Sequence, residues 1–222
     1  DHKAGFERSG DVPGAMTMFN KTEAQLTYAQ AHAYFLRTNR LLFEPGTASS
    51  YSNHGFGLWT LLIEKISGKP YYSYVRDSYL APKGLDGWVL PELGNPGNDC
   101  RYAANHSFDA NDVPKPFAFE QWGLGLAAGG FRASAKRLAY LLLGLEGKYT
   151  AAELDAMGWG KSAKGKLSHN GSIGGGTAFA AMFPDGYVSN GGKGLSRVNV
   201  VIITNGDAPK KDKKGGAPPS NQ

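Results

Sequence analysis

Helical periodicity comes first in this chain and strand-like runs come last, an order that rules out most architectures. Leu26, Ala29, Ala33 and Leu36 recur at helical spacing, which predicts a helix over Lys21 to Leu36 with Thr22 as its cap. Trp59, Leu62, Ile63 and Ile66 fall at i, i+3, i+4 and i+7, and Gly68 is a natural stop. A further helix is predicted over Tyr71 to Leu80, ending at Pro82, and another after Ser134, where Leu138, Leu141, Leu142 and Leu145 repeat the pattern. Only then do Leu167 to Ser172, Thr177 to Phe183 and Val198 to Thr204 read as strands, with Pro184-Asp185-Gly186 as a turn between the last two. A Gly-rich segment continues that connection, and the three strands are expected to form a three-stranded antiparallel meander. Helices followed by strands predict an α+β fold, an antiparallel sheet flanked by helices, and not a doubly wound parallel sheet.

The remaining segments read as connections. Asp1 to Asn20 lacks periodicity and is expected to be loop-like. Gly84 to Trp122 carries Pro91, Pro96, Pro114 and Pro116 and is expected to be a long loop of the kind that shapes substrate access. Residues after Asp207 are Lys, Gly, Pro and polar residues, a disordered tail or linker over 207–222. The expected organisation is one domain over 1–206, with helices and loops from about 15 to 160 and antiparallel strands from about 165 to 205.

Composition narrows the function classes. A net charge of +5 over 222 residues is partly tail charge, from Lys210, Lys211, Lys213 and Lys214. With no basic helix face, a nucleic-acid partner is not expected. No apolar run approaches the roughly 20 residues of a membrane-spanning helix. Cys100 is alone, so no intrachain disulfide can form. His2, His32, His54, His106 and His169 show no metal-ligand spacing.

Two short polar motifs carry the chemistry. Tyr51-Ser52-Asn53 stands just before the Trp59–Ile66 helix pattern, and His169-Asn170-Gly171-Ser172 lies in a predicted strand. At a helix start, the first and third side chains of Tyr-x-Asn can project to one side while the middle residue points elsewhere. A phenol can shuttle protons beside a cation that favours its phenolate. An Asn amide can orient a lysine and donate to a substrate carbonyl. The plainer alternative is a packed Tyr51 with Asn53 as a helix cap. His169 is either a pocket residue or a hydrogen-bonded structural histidine. His54 and His106 read as surface or loop residues. A Ser-His-Asp arrangement of His169 or His54 with Asp86 or Asp185 lacks a serine in a recognisable nucleophile turn.

The segment from Phe43 through Tyr51-Ser52-Asn53 to Leu58, followed by Ile63-Glu64-Lys65-Ile66-Ser67-Gly68, closely resembles the β-lactamase-related serine hydrolases. That family includes class C β-lactamases, penicillin-binding peptidases and esterases. Further segments fit the family's order. Asp1-His2-Lys3-Ala4-Gly5 resembles its His-Thr-Ser-Gly loop. Ala128-Gly129-Gly130 leading to Ser134 resembles the stretch before its inner helix. His169-Asn170-Gly171 resembles its Lys-Thr-Gly or His-x-Gly motif, and Val200 to Asn205 its closing strand. The resemblance implies a β-lactamase/transpeptidase-like fold and acyl-enzyme chemistry on a small-molecule ester or amide. It implies no metal or organic cofactor, and a periplasmic or secreted location. It makes Tyr51 the catalytic general base and acid, and Asn53 the holder of the lysine and the substrate carbonyl. His169 would line the substrate pocket, Gly171 would keep the strand surface clear, and the Ser172 N–H would be one oxyanion-hole donor. A histidine in place of the family's lysine at 169 leans toward esters or small amides, because imidazole is not a permanent cation.

One departure is large. No Ser or Thr is followed three residues later by Lys, and no Gly-x-Ser-x-Gly elbow exists. In the family the Ser-x-x-Lys helix and the first strands precede the loop that Asp1 to Gly5 resembles, and a C-terminal helix follows the last strand. The expectation is therefore a fragment lacking those parts and inactive alone. The rival is a short non-catalytic binding or scaffold homologue that keeps the pocket.

Overall fold

The computed structural model describes residues 2–6, 11–38, 40–91, 103–109, 111, 113–116, 123–173, 175–188, 192, 194 and 196–206. Cys100, the 207–222 tail and much of the Gly84–Trp122 segment lie outside these residues. The chain divides into two compact units, Asp1–Asn95 with Glu120–Gly144, and Pro96–Phe119 with Leu145–Gln222.

The first unit is helical. Helix α1, Val12–Phe19, lies where a loop was expected. Its start was legible in hindsight: Asp11 accepts from the Gly14 N–H at 2.9 Å and a proline occupies the first turn. Asn20 ends it in the left-handed conformation, φ 50°. The helix expected over Lys21 to Leu36 is broken in two. Thr22 opens only a 3-10 turn, Glu23–Gln25, and α2 runs Tyr28–Thr38. The reason is a second start signal. The Gln25 side chain accepts from the Thr22 N–H at 3.0 Å, and five residues on the Gln30 side chain accepts from the Thr27 N–H at 3.1 Å. Two successive Thr-x-x-Gln boxes start two turns. Ala15, Leu26, Ala31 and Phe35 form the buried cluster between these elements, with Val12, Met16, Phe19 and Tyr34 at its margin.

Helix α3, Asn53–Ser67, begins and ends as expected, but at its start the cap is Ser52, whose Oγ accepts from the Gly55 N–H at 2.9 Å. Its faces are the reverse of a simple amphipathic pattern. His54, Gly55, Gly57 and Thr60 are buried, whereas Trp59, Leu62 and Ile66 are exposed, Ile66 at 84%. The small inward face lets the 3-10 turn Gly123–Ala128, with Leu126 buried, pack against it. Helix α4, Tyr71–Val75, is capped by Glu64, whose carboxylate accepts from the Tyr71 N–H at 2.9 Å. It continues through a π-turn, Arg76–Leu80, and a 3-10 turn, Ala81–Lys83. Strand β1, Leu90–Pro91, pairs with β4, Phe131–Arg132, antiparallel, and α5, Ala135–Leu143, follows its Ser134 cap. Leu80, Leu85 and Val89 bury against Phe131, Ala133 and Leu141, each buried Leu or Val contributing about 1.5–3 kcal/mol.

The second unit carries the sheets. Strands β2, His106–Phe108, and β3, Pro114–Pro116, form an antiparallel pair. A short helix, α6, Ala151–Ala156, opens with Thr150 and Glu153 capping each other. The four-stranded sheet has the order β5 (Gly160–Lys161), β6 (Leu167–Ile173), β7 (Gly176–Phe183), β8 (Val198–Thr204). The expected meander is therefore present, antiparallel throughout, with a two-residue strand added at one edge. Leu167, Ala180, Ala181 and Met182 supply its buried positions, and Ile202 and Ile203 on the edge strand β8 are exposed. Helices with antiparallel sheets make the chain α+β, as the order of its patterns predicts.

Candidate functional site

The start of α3 gathers the first motif. Tyr51 precedes the helix and is 51% exposed, and Asn53 is its first residue. The Tyr51 hydroxyl donates to Asn53 Oδ1 at 2.8 Å. Ser52, between them, is fully buried and turned inward to cap the helix. The two outer side chains thus share one side. Because Ser52 takes the capping role, the Asn53 amide is left for the phenol. Burial, then Glu64 and Tyr71, push Tyr28 up to about 12, so it stays protonated.

Sequence reasoning missed what holds this motif in place. Residues 2–5 lie along residues 42–50 as a backbone strap. The Ser50 N–H donates to the His2 carbonyl, Gly46 N–H to that of Lys3 and Leu42 N–H to that of Gly5, each at 2.8 Å. Gly5 adopts φ +83°, and a Cβ there would collide with the Phe43 carbonyl oxygen, so the approach needs glycine. The His2 ring then packs on Tyr51, centroids 4.7 Å apart and tilted 36°, with Phe56 edge-on at 5.1 Å. Its Nδ1 accepts from the Ser52 N–H at 3.0 Å. The signal was the glycine at 5 beside the likeness to the family loop. No periodicity links two segments some fifty residues apart.

His54 departs from the expected surface position. It is 4% exposed, stacked on His32 at 5.3 Å and edge-on to Phe35 at 5.1 Å, with Phe6 at 5.1 Å. Burial holds its imidazole below the ordinary histidine value. His106 sits half-buried on β2, its N–H bonded to the Asn205 carbonyl at 2.9 Å.

The second motif lies on β6. His169, Gly171 and Ser172 are all exposed. Directly paired residues share a face, so His169 opposite Ala180 and Gly171 opposite Ala178 lie on one face with Leu167 opposite Met182. Trp159 stands edge-on to His169 at 6.3 Å. A Cβ at Gly171 would meet nothing within 4 Å. Register also fixes where the backbone points. The last pair of the hairpin, Ile173 with Gly176, can pair only by exchanging its own hydrogen bonds, so the odd-numbered residues of β6 bond β7. Ser168, Asn170 and Ser172 therefore turn their N–H and C=O groups to the other side. There β5 reaches only Leu167 and Ser168. The Ser172 amide faces an edge that no described strand covers.

The structure thus brings Tyr51 and Asn53 together in one unit and His169, Gly171 and Ser172 together in the other. Among the described residues no cluster of His, Cys, Asp and Glu could hold a metal ion, and no helix is long and apolar enough to cross a membrane.

Comparison with known proteins places the fold. The chain is 31% identical over 150 residues to the probable fimbrial assembly protein FimD, serogroup H1, of Dichelobacter nodosus, covering 65% of this chain and 35% of that protein. It is similar in fold to a penicillin-binding protein from Bacillus halodurans, at a TM-score of 0.67 and 18% identity, covering 93% of this chain and 66% of that one. A D-stereospecific amidohydrolase from Streptomyces sp. matches at a TM-score of 0.60 and 19% identity, over 82% of this chain and 62% of that one. The octameric penicillin-binding protein homologue from Pyrococcus abyssi matches at 0.61 and 20%, over 94% and 51%. The chain thus spans about a third of the curated relative and half to two thirds of these structures. The family model named Beta-lactamase matches residues 1–218, and the chain belongs to that family.

Proposed function

We propose that this chain supplies two sets of groups to a serine hydrolase reaction on a small-molecule ester or amide, the nucleophilic serine and its lysine lying on a segment outside these 222 residues. The observation that carries the reading is the 2.8 Å bond between the Tyr51 hydroxyl and Asn53, made on one side of a helix start whose intervening residue is buried. In the proposed acylation, Tyr51 enters as the phenolate, favoured by the lysine's positive charge, and the serine oxygen attacks the substrate carbonyl carbon as it gives its proton to that phenolate. The carbonyl π bond opens to an oxyanion, held by the Ser172 N–H and the nucleophile's own N–H. Collapse breaks the bond to the leaving group, which takes the proton from Tyr51. Water then reverses these steps on the acyl-enzyme. Asn53 orients the lysine and the substrate carbonyl. The uncovered β6 edge offers Asn170 and Ser172 backbone groups to an extended substrate, and Gly171 leaves its face clear. His169 favours esters or small amides over carboxylate-bearing substrates. No metal or organic cofactor takes part in these steps.

The test is Tyr51→Phe in the intact protein. Turnover of an ester reporter falls by on the order of a hundredfold. Unchanged turnover removes Tyr51 from the reaction. The absence of any Ser-x-x-Lys favours one second reading, a non-catalytic binding homologue. The two separate on labelling by a serine-reactive phosphonate. The intact protein takes up one equivalent and the 222-residue chain none. An unlabelled intact protein supports the second reading.

A further inference from the structure

We infer that His2 is the positioning residue for Tyr51, acting in its neutral form through the buried amide of Ser52, a role that rests on the proposed reaction.

A backbone amide can only donate, so the 3.0 Å contact from the Ser52 N–H makes His2 Nδ1 the unprotonated ring nitrogen and puts the ring proton on Nε2. Ser52 is the hinge of the motif. It is fully buried, and two of its hydrogen bonds point opposite ways along the chain, the Oγ accepting from the Gly55 N–H inside α3 and the N–H donating to His2. Fixing Ser52 at both ends fixes the peptide that joins it to Tyr51. The His2 ring also lies against the Tyr51 ring at 4.7 Å, and Phe56 backs it at 5.1 Å. The His2 carbonyl accepts from the Ser50 N–H on the other side of Tyr51. His2 therefore grips the residue before Tyr51, the residue after it, and its ring. Misplacement of a reacting group by about 1 Å can cost on the order of a hundredfold in rate.

The arrangement carries a pH signature. Among the described groups packed on the ring, the Tyr51 phenol titrates and Phe56 does not, and Asp1 and Lys3 are the neighbours in the sequence. Protonating Nδ1 turns the acceptor into a donor facing another donor, and the bond to Ser52 is lost. The neutral ring is the working form, so the positioning is present above the imidazole transition and lost as pH falls through it.

The experiment compares kcat and KM of the intact protein on an ester reporter across pH for the wild type, His2→Ala, His2→Asn and Tyr51→Phe, with the Ser52 amide followed by NMR. His2→Ala lowers kcat about tenfold or more and leaves KM within about twofold. His2→Asn, whose Oδ1 can accept from the Ser52 N–H, recovers most of kcat and loses the acid limb of the profile. In the wild type the Ser52 amide resonance moves with that limb. Three results overturn the inference: wild-type kcat in His2→Ala, equal losses in His2→Ala and His2→Asn, or a Ser52 amide indifferent to pH. If Tyr51→Phe abolishes turnover in those cases, the proposed reaction survives without this role for His2. If Tyr51→Phe keeps turnover, the reaction and the inference fall together.

Discussion

The start of α3 and the outer edge of β6 present chemistry in opposite ways. In the proposed reaction the groups at α3 are side chains, and their placement depends on the local cap at Ser52 and on contacts distant in sequence, the strap from residues 2–5 and the His2 ring. The proposed group at β6 is a backbone N–H, and its direction follows from the register with β7 alone. The first arrangement is specific in residue type and open to disruption at a distance. The second tolerates many side chains and fails only when the ladder or the amide itself is altered.

The largest test of that contrast is Ser172→Pro. The Ser172 amide faces a side that no described strand covers, so proline removes it without breaking a bond to β7. Turnover of the ester reporter in the intact protein drops by on the order of a hundredfold, while Ser172→Ala stays within a few-fold. Equal effects of the two substitutions would mean that the side chain matters and the amide does not.

Selectivity should respond next. His169→Lys places a permanent cation on the Gly171 face, and the ratio of carboxylate-bearing to neutral substrate turnover rises by about tenfold. A constant ratio would remove the position from substrate choice.

Ser52→Ala removes the α3 cap and costs about 1 kcal/mol of stability, read as a lowered denaturation midpoint. The account also requires a loss of kcat greater than that stability change explains, because Tyr51 loses its anchor. The smallest effect is a pH dependence of the first unit. Burial lowers the His54 pKa, so the neutral ring's contribution is present above the unfolded value of about 6.5 and is lost as pH falls toward the folded value. Thermal melts between pH 7 and pH 5 therefore show a destabilisation that His54→Leu removes. The same slope in His54→Leu would assign it to other groups.

The sequence was most legible where local signals agreed. The strand-like runs and the Pro184-Asp185-Gly186 turn made the meander legible, and Gly68 ended α3 where it should. Tyr51 and Asn53 were found because a Tyr-x-Asn before a helix is a local pattern. The misses were places where a short signal competed with a longer one. Thr27 and Gln30 broke a helix that the Leu26–Leu36 spacing made continuous. The Thr150–Glu153 box was readable but opened a helix too short to show a period. The apolar positions of α3 gave the right helix and the wrong face, since the buried side is His54, Gly55, Gly57 and Thr60 and a neighbouring turn packs against the helix. His2 was invisible as a partner of Tyr51, because a ring contact across the strap leaves no trace in spacing.

The most direct measurement is a double-mutant cycle on turnover in the intact protein, combining Tyr51→Phe with Ser172→Pro. Groups that serve one acylation step act as a unit, so the double variant should lose little more than the worse single one. Fully multiplicative losses, or a Tyr51→Phe variant with wild-type turnover, would mean that the phenol and the strand amide do not serve the same reaction.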